Sequence, residues 1–169
     1  RVRSSAASDV YKRQVVFGRI LAALGEVAAE LPLVFPAHPR TSRQLGEHPL
    51  PAGLMVVPPA GYLDFIALEA GARLVLTDSG GVQEETTALG VPCLTLRDST
   101  ERPITVEQGT NRVVGTDPDV IVAAARAIIT DGLEARRPAL WDGHAGERIA
   151  AVLSNADELS GHPRPTSIA

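Results

Sequence analysis

The sequence predicts an α/β fold, a Rossmann-like parallel sheet with helices on both faces. Three observations predict it. Apolar runs of three or four residues alternate along the chain with longer segments whose apolar residues recur at helical spacing. Those short runs carry apolar residues on both faces, as strands covered on both sides require. Hydrophobic residues make up 44% of the 169 residues while aromatics make up only 4%, so Val, Leu, Ile and Ala must supply the core of a domain of this length.

Val16, Ile20, Leu24 and Val27 place a helix over Val15 to Leu31. Leu33-Val34-Phe35, stopped by Pro36, reads as the first strand, followed by a short helix near Thr41 to Gly46. Leu54 to Val57, ended by Pro58-Pro59, is the second strand, and Tyr62 to Ala72 carries the pattern of a helix packed on a sheet. Arg73 to Leu76 is the third strand. It leads into a helix over Val82 to Leu89 that Gly90 closes. Cys93 to Leu96 and Arg112 to Val114 complete the strands. Asp117 to Thr130 forms a helix whose acidic start suits the positive end of its dipole. One more helix is expected after Pro138, and residues 158–169 are expected to be disordered.

A net charge of −4 argues against a nucleic-acid surface, which needs clustered positive charge. Cys93 is the only cysteine, so no internal disulfide can form, and a reducing, cytoplasmic setting is the simplest expectation. The longest apolar run, Val120 to Ile129, is interrupted by Arg126 and falls well short of a membrane span. The sequence starts at Arg1, and its only methionine is Met55, which suggests a fragment of a longer protein. Residues 1–14 show no apolar periodicity and are expected to be non-native or disordered, leaving one domain over residues 15–157.

Ligands of open parallel sheets bind beyond the carboxyl ends of the strands. There the third strand runs into Thr77-Asp78-Ser79-Gly80-Gly81-Val82-Gln83-Glu84-Glu85. Two glycines at a strand-to-helix turn admit close approach to the backbone, and the helix start offers unpaired N–H groups to a phosphate. Ser79 adds a hydroxyl, and Glu85, four residues after Gly81, shares its helix face and suits ribose hydroxyls. The residues equally fit a plain capped helix, with Asp78 or Ser79 as cap and Glu84 and Glu85 as surface charges. Arg102, after the fourth strand, either clamps a diphosphate with its planar fork or pairs with Glu101 or Asp98 at the surface. His38, between Pro36 and Pro39, is either an anion-binding group or a rigid turn residue. Trp141 reads as packing at the domain edge.

The motifs FPAHPRT (Phe35 to Thr41), PAGYLDF (Pro59 to Phe65), LTDSGGVQEE (Leu76 to Glu85), GVPCLTLRDSTERP (Gly90 to Pro103), GTNRVVGTD (Gly109 to Asp117) and WDGHAGERIA (Trp141 to Ala150) stand in this order. Together they resemble the C-terminal domain of the non-hydrolysing UDP-N-acetylglucosamine 2-epimerases. That resemblance implies one half of a glycosyltransferase-B-like two-domain fold. It also implies cofactor-free interconversion of UDP-GlcNAc and UDP-ManNAc by elimination and re-addition of UDP, in a cytoplasmic homodimer that serves cell-envelope polysaccharide synthesis. It assigns Ser79, Gly80 and Gly81 to the diphosphate, Glu85 to the ribose, Arg102 to the phosphates, Phe65 to the uridine pocket and His38 to a regulatory UDP-GlcNAc site. Ala60 stands where the family carries a glutamine in the uracil loop, which shifts base recognition toward backbone groups.

The family's acid/base carboxylates belong to its N-terminal domain, and no counterpart occurs in this sequence. The chain alone is therefore expected to bind UDP weakly or not at all and not to epimerise it. A UDP-sugar-dependent glycosyltransferase domain and a non-catalytic nucleotide-sensing module are the competing readings. The TERP segment together with QEE favours the epimerase.

Overall fold

The computed structural model describes residues 3–46 and 48–159. The chain divides into two units, Arg1–Arg137 and Pro138–Ala169. In the first, the elements run α1 (Arg3–Ala28), β1 (Leu33–Pro36), α2 (Pro39–Leu45), β2 (Leu54–Val57), α3 (Tyr62–Gly71), β3 (Val75–Thr77), α4 (Gly80–Leu89), β4 (Cys93–Thr95), α5 (Pro103–Glu107), β5 (Asn111–Val113) and α6 (Pro118–Asp131). Every strand pairing is parallel, and the α/β class is the one the sequence predicts.

The strands form two sheets rather than one: β1 pairs with β2, and β3-β4-β5 form a separate three-stranded sheet centred on β4. β4 is buried along its whole length. Leu94 faces an apolar core with Ile121, Val122, Ala125 and Ile128 of α6 and Ala23 and Val27 of α1. Its neighbours Cys93 and Thr95 point the other way, as the two-residue period of a strand demands. There the side is polar, with Gln83 and Thr86 of α4, Thr105 of α5 and Asn111 of β5 all buried. The three-stranded sheet thus has one oily face and one hydrogen-bonded face.

The β1-β2 sheet departs from the expectation of strands covered on both faces. Leu54, with Leu33, Phe35 and Val56 beside it, packs on Leu21 and Phe17 of α1. Register partners Val34 and Met55 on the opposite face remain 45% and 50% exposed. Among the described residues no helix covers that face, because α1 packs on the other side of this small sheet.

Helix α1 starts at Arg3, not at Val15. Residues 3–14 contain no proline or glycine, and Ala, Arg and Lys are good helix formers, so the chain extends the helix even without an apolar stripe. Helix α5 has no counterpart among the elements the sequence predicts; at five residues it is too short for any periodicity to reveal. Gly90 closes α4 in the left-handed conformation at φ 75°, as expected. In α6, Asp117 caps the start, its Oδ1 accepting from the N–H groups of Asp119 at 3.0 Å and Val120 at 3.3 Å. Arg126, which breaks the apolar run, lies on the outer side of α6 and pairs with Glu30, in the turn after α1, at 2.5 Å.

The second unit contains α7 (Ala145–Leu159), preceded by a turn in which the Arg148 guanidinium grips the Asp142 carboxylate. That contact, with the His144 N–H, holds the Asp142 carboxyl down at about 2. Trp141 is half-buried in the same turn. The tail expected to be disordered begins inside α7 at residues 158–159, and residues 160–169 lie outside the described residues. No helix among the described residues is long and apolar enough to cross a membrane.

Candidate functional site

Ser79, Gly80, Gly81 and Arg102 meet at the start of α4, and Glu85 lies more than one helical turn further along. The turn from β3 is tight, with the Ser79 N–H donating to Thr77 Oγ1 at 3.0 Å. Ser79 occupies the N-cap position with extended backbone, yet its exposed hydroxyl makes no capping hydrogen bond. A serine there normally satisfies an N–H of the first turn. Here the hydroxyl and the first-turn N–H groups both remain available to another acceptor.

Gly80 and Gly81 are not demanded by the protein's own packing. Neither has a positive φ, and a Cβ at either would meet nothing nearer than 3.8 Å. Gly109 is the contrast: a Cβ there would lie 2.5 Å from the Thr105 carbonyl oxygen and from Thr87 Cγ2, so close packing requires glycine. The nearest neighbours of a Cβ on Gly80 are Cγ and Nε of Arg102, at 3.8 Å. The arginine side chain therefore lies across the start of α4.

Arg102 is held there by Glu84, whose Oε1 lies 2.9 Å from Nε. The pairing with Glu101 or Asp98 open at the sequence level is not the one formed. Glu101 turns to Arg97 in a two-pronged contact at 2.9 Å and 2.5 Å, which holds its carboxyl below the usual carboxylate range. Arg102 reaches Glu101 only through the backbone, Nη1 donating to the carbonyl at 3.4 Å. Nε is thus occupied by Glu84, while the side chain as a whole stays 44% exposed.

Glu85 is half-buried on the α3 side of α4. Its charge is felt by Glu69 of α3, a buried carboxylate that sequence reasoning missed. The apolar company of Glu69 in the LDFIALEAG segment gave it no distinguishing signal. Phe65 is half-buried in the first turn of α3, its N–H donating to the Gly61 carbonyl at 2.8 Å. His38 stands exposed at the end of β1, in the other sheet, and is not part of the α4 cluster. Cys93 is buried with its thiol pushed up to about 11, chiefly by burial, so it remains protonated and is no nucleophile.

The arrangement is suited to an anion with a polar extension. A helix start, a free hydroxyl, two unhindered glycines and an arginine fork meet at one point, with a carboxylate one helical turn further along.

Comparison with known proteins shows the family. A family model described as UDP-N-acetylglucosamine 2-epimerase matches residues 9–154. The UDP-N-acetylglucosamine 2-epimerase of Methanocaldococcus jannaschii is 42% identical over 128 residues, covering 72% of this chain and 35% of that protein. The UDP-2,3-diacetamido-2,3-dideoxy-D-glucuronate 2-epimerase of Pseudomonas aeruginosa is 40% identical over 136 residues, covering 80% and 38%. The crystal structure of the M. jannaschii enzyme in complex with UDP-GlcNAc and UDP superposes with a TM-score of 0.68 at 37% identity, covering 83% of this chain and 41% of that one. The chain therefore spans well under half the length of these relatives. By the extent of the family match and by its similarity to these proteins, the chain belongs to the UDP-N-acetylglucosamine 2-epimerase family.

Proposed function

We propose that this chain is the UDP-holding part of an enzyme that interconverts UDP-GlcNAc and UDP-ManNAc. The observation that carries the reading is the pair Gly80-Gly81 at the start of α4: space above it is open, no packing need explains it, and Arg102 lies alongside. In this reading Ser79, Gly80 and Gly81 take the diphosphate through the hydroxyl and the first-turn N–H groups. The outer guanidinium edge of Arg102 takes a second phosphate face. Glu85 receives the ribose hydroxyls, Phe65 lines the uridine pocket, and His38 belongs to a regulatory UDP-GlcNAc site.

The same contacts suit the chemistry. Removal of the proton at C2 of the sugar and rupture of its C1–O bond release UDP and leave a 2-acetamidoglucal. The bonding pair departs with the diphosphate oxygen, so negative charge grows where the helix start and Arg102 lie. Reprotonation of C2 on the opposite face and re-addition of UDP give the epimer. The residues of this chain bind and stabilise the leaving group, and the proton transfers fall to groups in the rest of a homodimeric enzyme. The similarity to epimerases acting on two different UDP-sugars supports a shared role in holding UDP.

The test is calorimetric titration of UDP into this chain and into Gly81→Ala. The substitution introduces no clash, and alanine favours the helix by about 0.5–1 kcal/mol, so the variant should be at least as stable. Weak, saturable binding by the parent chain should fall by tenfold or more, roughly the factor that 1.4 kcal/mol represents. Equal binding by both, or none by the parent at millimolar UDP, would remove the support for the reading.

A further inference from the structure

Behind Arg102 a closed ring of hydrogen bonds, buried at Gln83, Thr105 and Asn111 and open toward the surface at Thr100, holds the backbone of that one residue from both sides. On one side the Arg102 N–H donates to Thr100 Oγ1 at 2.9 Å, and the Thr100 hydroxyl donates to Gln83 Oε1 at 2.5 Å. On the other side the Thr105 hydroxyl donates to the Arg102 carbonyl at 2.7 Å, and Asn111 Nδ2 donates both to Thr105 Oγ1 at 3.0 Å and to Gln83 Oε1 at 3.2 Å. Asn111 is fixed in turn by Thr95, whose hydroxyl donates to Oδ1 at 2.7 Å. The Thr100 and Thr105 hydroxyls each accept one bond and donate another, and the two arms meet at Gln83 Oε1, which accepts from both Thr100 and Asn111.

We propose that this ring, with Gln83 as its hub, is a positioning device that sets Arg102 over the start of α4 for the second phosphate of a nucleoside diphosphate. The inference rests on the UDP-holding role proposed for that helix start. Gln83 and Glu84 then divide one task. Gln83 fixes where the Arg102 backbone stands, and Glu84 fixes where its side chain lies.

Three features favour this over ordinary core structure. The five polar residues belong to α4, β4, β5, α5 and the loop before α5, and both arms of the ring end on the same backbone residue. Gln83 is fully buried, and its Nε2 has no hydrogen-bond partner from the protein. An apolar side chain of that shape would avoid this cost if packing were the only requirement. Finally, Glu84 takes only Nε, and the outer guanidinium edge carries a single long contact, Nη1 to the Glu101 carbonyl at 3.4 Å, on the edge that a bidentate phosphate contact uses.

The experiment is a double-mutant cycle read by UDP calorimetry on the full chain, with melting followed by circular dichroism. Thr100→Val keeps the shape but removes the hydroxyl, whereas Thr100→Ser keeps the hydroxyl. Losing one such bond is expected to weaken UDP binding about five- to tenfold in Thr100→Val, while Thr100→Ser stays within about twofold of the parent. In an Arg102→Ala background the further effect of Thr100→Val should shrink to less than about twofold, because a residue acting through Arg102 has nothing left to position.

If Arg102→Ala weakens binding but Thr100→Val does not, the ring is packing alone and the proposal falls while the UDP reading stands. An equal loss from Thr100→Val with or without Arg102 likewise overturns it. If the parent chain binds no UDP, the underlying reading fails and takes the proposal with it. Should Thr100→Val melt below the titration temperature, Thr100→Ala, less demanding in a half-buried loop, replaces it in the same cycle.

Discussion

Glu69 shows how much a single buried carboxyl can ask of the fold. It is 3% exposed, neither oxygen has a protein hydrogen-bond partner, and its pKa is pushed to about 7, first by burial and then by the charge of Glu85. Between about pH 4.5 and 7 the unfolded chain releases this proton while the folded chain keeps it, so folding becomes less favourable as pH rises through that window. Glu69→Gln cannot ionise and escapes the loss. The variant should gain roughly 2–3 kcal/mol on the parent between pH 4.5 and pH 8, given about 1.4 kcal/mol for each tenfold change in ionisation. Urea unfolding of both proteins at the two pH values measures this, and parallel pH profiles would show that Glu69 ionises freely in the fold. Residues of this kind were not legible in the sequence. Ser79, Gly80, Gly81 and Glu85 fall in one short motif that announces a helix start, whereas Glu69 and Gln83 gain their meaning from residues 16 to 28 positions further along the chain, and Thr100, Thr105 and Asn111 from a loop geometry that no local pattern reveals. The ion pairs misled for the same reason: Glu101 adjoins Arg102 in sequence, but the turn before α5 directs it to Arg97.

Elements with strong local punctuation were legible, and those set by tertiary contacts were not. β2 lies between Gly53 and Pro58 and was read to the residue; α4 ends at Gly90 as expected. The grouping of strands into two sheets leaves no local trace, because β1 and β2 look as apolar as β4 and differ only in what covers them. α6 joins both kinds of evidence. Its acidic start was legible, and the structure adds the geometry: a single Asp117 oxygen receives two first-turn N–H groups and leaves the apolar face of Ile121, Val122, Ala125 and Ile128 on the sheet. Replacing Asp117 with alanine removes both bonds and a charge favourable to the helix dipole, at a cost of about 1 kcal/mol. A lowered urea midpoint with unchanged slope is expected. An unchanged midpoint would show that solvent caps α6 equally well.

For the molecule as a whole, the question is whether these 169 residues can perform the epimerisation that the family performs. A base for C2 must reach the proton within hydrogen-bonding distance and must have a pKa suited to neutral pH. Glu84, Glu85 and Glu101, the glutamates nearest the start of α4, do not meet these demands. Glu84 is committed to Arg102, Glu101 is bound to Arg97 with its pKa lowered, and Glu85 stands one turn along the helix, where the proposed function puts the ribose. Glu69 has a pKa near neutrality but is sealed between helices and cannot touch a substrate. Cys93 is buried and protonated. The chain incubated with UDP-GlcNAc in deuterated water should therefore incorporate no deuterium at C2 and form no UDP-ManNAc, as followed by proton NMR over days. Exchange at C2 that disappears in Glu85→Gln would overturn this, because it would place the base on α4 and make this half of the molecule catalytic. Exchange appearing only when the remaining part of a family member is supplied in trans would instead locate the proton transfer opposite α4, leaving to this chain the grip on the departing diphosphate.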